Sequence, residues 1–166
     1  MTTKNKKGFT IIEVVLVLAI AGLIFLMVFI ALPALQRSQR NTQREDDFAR
    51  VLTAVNSFQT NNSGKVPFTF TGATGSVDKN FVKRYIDEKC NTTDGVTYTN
   101  CGDQFTDPDG TIYILQAKEK LTADKSNLSL PTTVNNIIYA YVNASCGDSE
   151  GTLKIGSGDR QVALVY

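Results

Sequence analysis

A long apolar segment near the N-terminus is the clearest feature of this chain. Residues 14–35 contain no charged side chain and none that forms hydrogen bonds. About 20 consecutive apolar residues are enough for a helix to cross the hydrocarbon core of a bilayer. After residue 35 the sequence becomes polar, and the 166 residues are too few for two ordinary domains. We therefore predict one membrane-length helix and one globular domain.

The helix is predicted to continue beyond the apolar segment. Residues 36–61 contain neither proline nor glycine, and Asn61-Asn62-Ser63-Gly64 then supplies a helix stop signal. Apolar side chains recur before this stop at the spacings of three and four that mark one helix face. They are Phe48, Val51, Leu52, Val55 and Phe58. We predict an amphipathic half of the helix over residues 36–62, with this stripe lying on the globular domain.

The opposite side of the amphipathic half carries charges of both signs. They belong to Arg37, Arg40, Arg44, Glu45, Asp46, Asp47 and Arg50. We predict that these side chains face solvent. Because acids interrupt the arginines and no aromatic residues alternate with them, we expect no nucleic-acid partner. The net charge is +1, and it falls to −2 without the three lysines of residues 1–8, which agrees with that expectation.

The rest of the chain, residues 63–166, is rich in Thr, Asn, Gly and Ser, a composition that suits strands and loops. β-branched and aromatic residues dominate residues 111–118, 136–143 and 160–166, which we predict to be strands. A short helix is predicted over residues 78–89. The predicted fold class is α+β, with a long N-terminal α-helix packed on a small antiparallel β-sheet head.

The N-terminal residues allow more than one interpretation. Lys4, Lys6 and Lys7 precede the apolar segment, an arrangement that secretory signals and membrane anchors share, and they favour a cytoplasmic N-terminus. A secretory signal cut after Ala21 would leave an apolar tail on the product, since the segment continues to Leu35. An uncleaved signal anchor that holds a binding module at the membrane is a second alternative.

Glu13 stands immediately before the apolar segment. An ionised carboxylate at membrane depth costs ~2.5 kcal/mol or more, and somewhat less near the interface. Phe9 lies four residues before it and follows Gly8. Cutting the Gly8–Phe9 bond would create a positively charged amine beside this otherwise unpaired acid. A glycine suits such a cut, because a position without a side chain can enter a narrow active site.

A family resemblance rests on these same residues. They read Lys7-Gly8-Phe9-Thr10-Ile11-Ile12-Glu13 and lead into an unbroken apolar helix, which resembles the processing motif of type IV prepilins and pseudopilins. The resemblance implies that a prepilin peptidase removes residues 1–8 as a leader and N-methylates Phe9. It also implies that Phe9, Glu13, Gly22 and Pro33 act in filament assembly. Glu13 would pair with the amine of a neighbouring subunit, and Gly22 and Pro33 would let the helix partly unwind.

The resemblance implies an architecture and a location as well. Residues 9–35 would form the membrane-spanning or filament-core half of the helix, and residues 63–166 an extracytoplasmic head. The precursor would lie in the cytoplasmic membrane with its N-terminus in the cytoplasm. The pilus assembly machinery of that membrane would then polymerise it into an extracellular surface filament, which is a helical homo-oligomer. Adhesion, motility and DNA uptake are all roles of such filaments.

Within this family two functions remain open. Glu13 favours a main pilin, because tip components often lack this acid. The alternative is a pseudopilin of a type II secretion or DNA-uptake system. An enzyme is not expected, since the chain has no histidine, the commonest general base, and its head offers no nucleophile–base set and no phosphate loop.

Three cysteines, Cys90, Cys101 and Cys146, lie on what would be the exported side, so we expect a disulfide. Proximity in the sequence favours Cys90 with Cys101. Cys146 would then be free or paired between subunits.

Asp103, Asp107 and Asp109 are the acidic cluster of the head that we consider as a metal site. Carboxylates at such spacing can ligate calcium, and some pseudopilins bind calcium in a loop of this region. Loop aspartates also cap turns, which is the alternative. No other cofactor is expected.

Overall fold

The structure is a computed structural model, and it describes residues 8–71, 74–128 and 136–166. The chain divides into two compact units, the first ending at Thr42 and the second running from Gln43 to Tyr166. Helix α1, Ile11–Asn61, contributes residues to both units. We refer to the second unit as the head.

Helix α1 is longer than a single bilayer crossing requires, and one stretch of it is apolar enough to span a membrane. Pro33 lies inside the helix without ending it. The helix ends at Asn61, where the stop signal predicts its end. Ser63 and Gly64 adopt positive φ angles of 56° and 79°, and the Gly64 N–H donates to the Gln59 carbonyl at 2.7 Å. This left-handed turn satisfies a carbonyl of the last helical turn.

The head contains short strands and one short helix after α1. In chain order they are β1 Phe68–Thr71, β2 Thr74–Val77, α2 Phe81–Tyr85, β3 Asn91–Thr92, β4 Tyr98–Thr99, β5 Ile114–Lys120, β6 Ile137–Val142, β7 Ala144–Cys146, β8 Leu153–Ile155 and β9 Val162–Val165. A turn of 3-10 helix, Asp103–Phe105, lies between β4 and β5. The three predicted strands correspond to β5, β6 and β9.

The strands form four small sheets in the described part of the chain. The pairs β1–β2, β3–β4 and β7–β8 are antiparallel ribbons, and the largest sheet has the order β5–β6–β9. In that sheet β6 pairs antiparallel with β9 but parallel with β5. The predicted α+β class, with a long N-terminal helix followed by small antiparallel sheets, is confirmed. The parallel pair is an addition that the sequence pattern did not indicate.

Strand β6 is the centre of the head because both of its faces are buried. Ile138, Ala140 and Val142 face the main core, which also contains Val51 and Val55 of α1. The alternate residues belong to a second cluster on the other side of the strand. They are Tyr139 and Tyr141, packed with Leu121, Ala144, Leu153 and Ala163. Of the predicted stripe on α1, Val51 and Val55 therefore lie in this core with Phe48 and Phe58 packed against it, whereas Leu52 is 42% exposed. Full burial of such a side chain stabilises the head by ~1.5–3 kcal/mol.

The predicted helix over residues 78–89 forms only as α2, Phe81–Tyr85. It stops because Asp87 binds backbone groups outside the helix. Its carboxylate accepts hydrogen bonds from the N–H groups of Lys89 at 2.9 Å and Gly102 at 2.7 Å. Asp and Asn side chains compete in this way with helical hydrogen bonding.

Cys90 and Cys101 form a disulfide across this region, and Cys146 is free and exposed. The bridge closes a loop that contains the β3–β4 ribbon. Within the loop, the Asp94 carboxylate accepts hydrogen bonds from the Val96 and Thr97 N–H groups at 2.8 Å each. These bonds lower the pKa of Asp94 to about 2. The loop is thus held by a covalent bridge at its base and a hydrogen-bonded turn at its tip.

We expect C90A/C101A to lower the free energy of unfolding of the head by roughly 2–4 kcal/mol, because the bridge restricts the unfolded chain. All six tyrosines lie in the head and the chain has no tryptophan, so near-ultraviolet circular dichroism of the full chain in detergent reports head unfolding. C146S is the matched control and should change stability by less than about 0.5 kcal/mol. An equal effect of both changes would contradict a stabilising role for the bridge.

Candidate functional site

The residues around the expected cleavage position are open to solvent. Phe9 is 89% exposed, and among the described residues none beyond the chain neighbours lies within 4 Å of a side chain added at Gly8. Helix α1 begins only at Ile11, so the Gly8–Phe9 peptide bond lies outside helical hydrogen bonding. The bond is therefore accessible to a peptidase in this structure.

Glu13 is not unpaired, in contrast to the expectation from sequence. Its Oε2 accepts hydrogen bonds from the Thr10 N–H at 2.9 Å and from the Thr10 hydroxyl at 3.0 Å. The Glu13 N–H in turn donates to the Thr10 hydroxyl oxygen at 3.3 Å. This reciprocal arrangement is a capping box, which satisfies backbone donors that the first helical turn leaves free. Thr10 and Glu13 both follow Phe9, so cleavage before Phe9 would leave the pair in place.

The capping box is the functional feature that our sequence interpretation missed. Its signal was present, because Thr10-Ile11-Ile12-Glu13 has the Thr-x-x-Glu spacing immediately before an apolar run. Glu13 thus has a local structural role that is independent of any other subunit.

The other residues predicted for assembly lie along the exposed part of α1. The helix is continuous through Gly22 and Pro33, and apart from the neighbouring helix backbone no described atom lies within 4 Å of a side chain added at Gly22. Large apolar side chains around them are mostly more than half exposed, as at Leu23, Phe25 and Phe29. The predicted unwinding at Gly22 and Pro33 stays a prediction.

A second polar cluster lies inside the head, between α1 and the residues that precede β5. The Arg44 guanidinium donates from Nε to Asp107 Oδ2 at 2.7 Å and from Nη2 to Asp107 Oδ1 at 3.0 Å. The Tyr166 hydroxyl also donates to Asp107, at 3.2 Å. The side chain of Asp107 is fully buried. Two parallel bonds of this kind are the strong form of an arginine–carboxylate pair.

Asp47 extends the cluster one turn further along the helix. It is buried, receives a hydrogen bond from the Tyr113 hydroxyl at 3.2 Å, and pairs with Arg50 at 3.0 Å. Arg50 also donates to the Gln104 carbonyl at 2.9 Å. The prediction of a solvent-facing side chain is therefore wrong for Asp47, which is buried, and for Arg44, which is partly buried, whereas Arg50 is exposed as predicted. Tertiary packing brings their partners from residues 104–113, which the spacing of charges within the helix could not indicate.

The pKa values of the two buried acids in this cluster, Asp107 and Asp47, shift in opposite directions. Burial acts to raise the pKa of Asp107, but hydrogen bonds from Arg44 and the Asp109 N–H and the charge of Arg44 outweigh it, so that pKa is lowered. Burial raises the pKa of Asp47, and the bonds from Tyr113 and Arg50 offset this only in part. The pKa of Tyr113 is raised by burial and by the nearby carboxylates.

The three aspartates considered for calcium have separate structural roles. Asp107 is held by Arg44, and Asp109 caps its own turn by accepting from the Thr111 N–H at 2.9 Å. Asp103 lies in the 3-10 helix. Within residues 8–71, 74–128 and 136–166, no group of three or more acidic or cysteine side chains is arranged to hold a metal ion. A calcium ion at Asp107 would have to displace the Arg44 guanidinium.

Comparison with known proteins assigns the N-terminal segment to a known sequence motif. Residues 3–29 match the family model described as the prokaryotic N-terminal methylation motif. This motif is the type IV prepilin processing signal, and the chain carries it together with a helix long enough to cross a membrane. The match supports a secreted prepilin of the type IV pilin or pseudopilin kind, which is anchored in the membrane as a precursor and processed by prepilin peptidase. No curated protein and no solved structure matches the chain significantly.

We expect Gly8→Val to leave the chain uncleaved in the membrane, because a branched side chain hinders entry of the scissile bond into the peptidase. Since no described residue beyond its chain neighbours lies within 4 Å of a side chain added at Gly8, the substitution should not disturb the fold of residues 8–166 that the structure describes. Intact-mass and N-terminal sequence measurements on the membrane fraction test this. A mature chain that begins at Phe9 in the variant would contradict the assignment of the cleavage site.

We expect Arg44→Gln to lower the free energy of unfolding of the head by ~3 kcal/mol at pH 7, because it leaves a buried carboxylate without its cation. Arg84→Gln is the matched control, since Arg84 is exposed and such changes stay within about 0.5 kcal/mol. The same tyrosine circular dichroism measures both. Equal stability of the two variants would show that the buried pair contributes little.

The Arg44 effect should also depend on pH. A carboxyl whose pKa is lowered by folding stabilises the fold above its unfolded pKa of ~3.9, and this stability is lost as pH falls through the folded value. The raised pKa of Asp47 changes the stability with pH in the opposite direction, but Asp47 is present in both wild type and Arg44→Gln. The difference between wild type and Arg44→Gln should therefore shrink below about pH 4.

Proposed function

We propose that this chain is the main structural subunit of a type IV pilus-like surface filament. In this proposal it is exported as a prepilin, cut before Phe9, N-methylated there, and polymerised through its apolar helix. The observation that carries the proposal is Glu13, an acid immediately before an otherwise apolar, exposed helical segment that follows a prepilin processing signal.

The capping box supports this role rather than replacing it. A carboxylate has about four lone-pair sites, and Thr10 occupies Oε2 with two donors. The remaining sites can accept from the Phe9 amine of a neighbouring subunit. Hydrogen bonds from Thr10 supply dipoles, whereas the amine would supply a full opposite charge in surroundings of low dielectric constant. The local pair holds the acid in place, and the neighbour neutralises it.

The exposed apolar side chains supply a second argument for polymerisation. Residues 14–35 suit lipid in the precursor, and like helices bundled together would replace lipid in a filament. The head would then lie outside the bundle, and we propose no enzymatic activity for it. A pseudopilin would use the same interactions in a shorter filament.

We expect Glu13→Leu and Glu13→Gln both to abolish or sharply reduce surface filaments while still being inserted and cut before Phe9. Glutamine is the matched variant, because it keeps the capping geometry at this helix position but lacks the charge. Removing one partner of a buried ion pair costs ~3–5 kcal/mol at each contact. The measurement compares sheared-filament yield with membrane level and N-terminal sequence.

The two variants separate the roles of Glu13. Normal filaments from Glu13→Gln together with none from Glu13→Leu would reduce Glu13 to a helix cap and overturn the pairing. Electron microscopy of sheared material from the wild type distinguishes the main pilin from the pseudopilin. Long surface filaments support the pilus, and their absence favours the pseudopilin.

A further inference from the structure

Two arginines directly after the apolar segment have no partner among the described residues. Arg37 and Arg40 lie three positions apart on α1, so they share one face of the helix. Both are exposed, and neither takes part in an ion pair within the described chain, where the arginine pairs are those of Arg44 and Arg50. The next acid along the chain is Glu45. Arg37 and Arg40 are therefore the charged residues of positions 36–42, and the next arginine, Arg44, is paired with Asp107.

The length of the apolar segment places these arginines at a membrane surface. Residues 14–35 span roughly 33 Å at 1.5 Å per residue, against ~30 Å for the hydrocarbon core. Glu13 then falls at one surface, and Arg37 and Arg40 lie roughly 3–8 Å beyond the other end of the segment. That distance corresponds to the headgroup layer, which is roughly 5–7 Å thick on each side.

The headgroup layer contains the anion that arginine recognises best. A guanidinium binds phosphate through two parallel N–H donors, and its long side chain can bend along the helix to reach a headgroup. An acidic surface on a second copy is the competing occupant. Lipid phosphate is favoured because it is already present at this depth in the membrane, whereas the copy would have to be brought there.

We propose that Arg37 and Arg40 form a binding site for anionic phospholipid headgroups in the exported leaflet. The site holds the membrane-inserted chain at a fixed depth, with its apolar segment matched to the hydrocarbon core. The proposal needs only membrane insertion and is independent of filament assembly.

Spin-labelled lipids test this site in the full chain reconstituted into phosphatidylcholine vesicles. The motionally restricted fraction of spin-labelled phosphatidylglycerol, relative to spin-labelled phosphatidylcholine, measures the preference for the anionic lipid. We expect R37Q/R40Q to reduce that preference at least about fivefold, because the net negative charge of phosphatidylglycerol attracts the two guanidinium groups and zwitterionic phosphatidylcholine lacks it. R37K/R40K should retain most of it, because the charge remains. About 0.5 M salt should weaken it in the wild type.

The matched control is R84Q/R160Q, which removes two exposed arginines of the head and should leave the preference unchanged. The leader lysines contribute equally to every variant, so differences report the substituted residues alone. An unchanged preference in R37Q/R40Q overturns the proposal. If that variant keeps its lipid preference but loses sheared filaments, the arginines contact another copy instead, and the lipid assignment falls while the filament role stands.

Discussion

The exposed apolar half of α1 is the constraint on which the rest of this protein depends. Each large apolar side chain left in water forgoes ~1.5–3 kcal/mol of burial, and this half carries many of them. Lipid or other helices of the same kind therefore have to cover it. Charged residues mark both ends of the segment, Glu13 before it and Arg37 after it. In our proposals, Glu13 pairs with a neighbouring subunit at one end and Arg37 binds lipid headgroups at the other.

In the second half of the helix, the apolar side chains are covered by the head of the same chain. Val51 and Val55 bury their side chains in the main core, and Arg44, two turns before Val51 on the helix, pairs with the buried Asp107. Apolar packing alone tolerates small shifts of a helix along a sheet. A bidentate pair to a buried carboxylate does not, because any shift leaves a charge in the interior without a partner. The pair therefore favours one register of residues 43–61 on the rest of the head.

In the proposed filament, Glu13 would serve both the monomer and the assembly. In the capping box, the Glu13 carboxylate accepts two hydrogen bonds from Thr10, within the first turn of its own helix. Both hydrogen bonds from Thr10 go to Oε2, so the other acceptor sites of the carboxylate stay available to a cation. With its hydrogen bonds from Thr10, Glu13 can enter the membrane surface as part of a monomer and still pair with a neighbouring subunit later.

The sequence alone determined the features that depend on neighbouring residues. Periodicity, turn residues and local spacing predict four of them. These are the membrane-length helix, its stop at Asn61, the processing motif and the positions of strands β5, β6 and β9. Even the capping box was readable as Thr-x-x-Glu. Only the tertiary structure decided which charges are buried and how the strands pair. Asp47 and Arg44 look solvent-exposed along the helix, because their partners lie some sixty residues away. The parallel pairing of β5 with β6 likewise depends on contacts between distant segments, which no local pattern encodes.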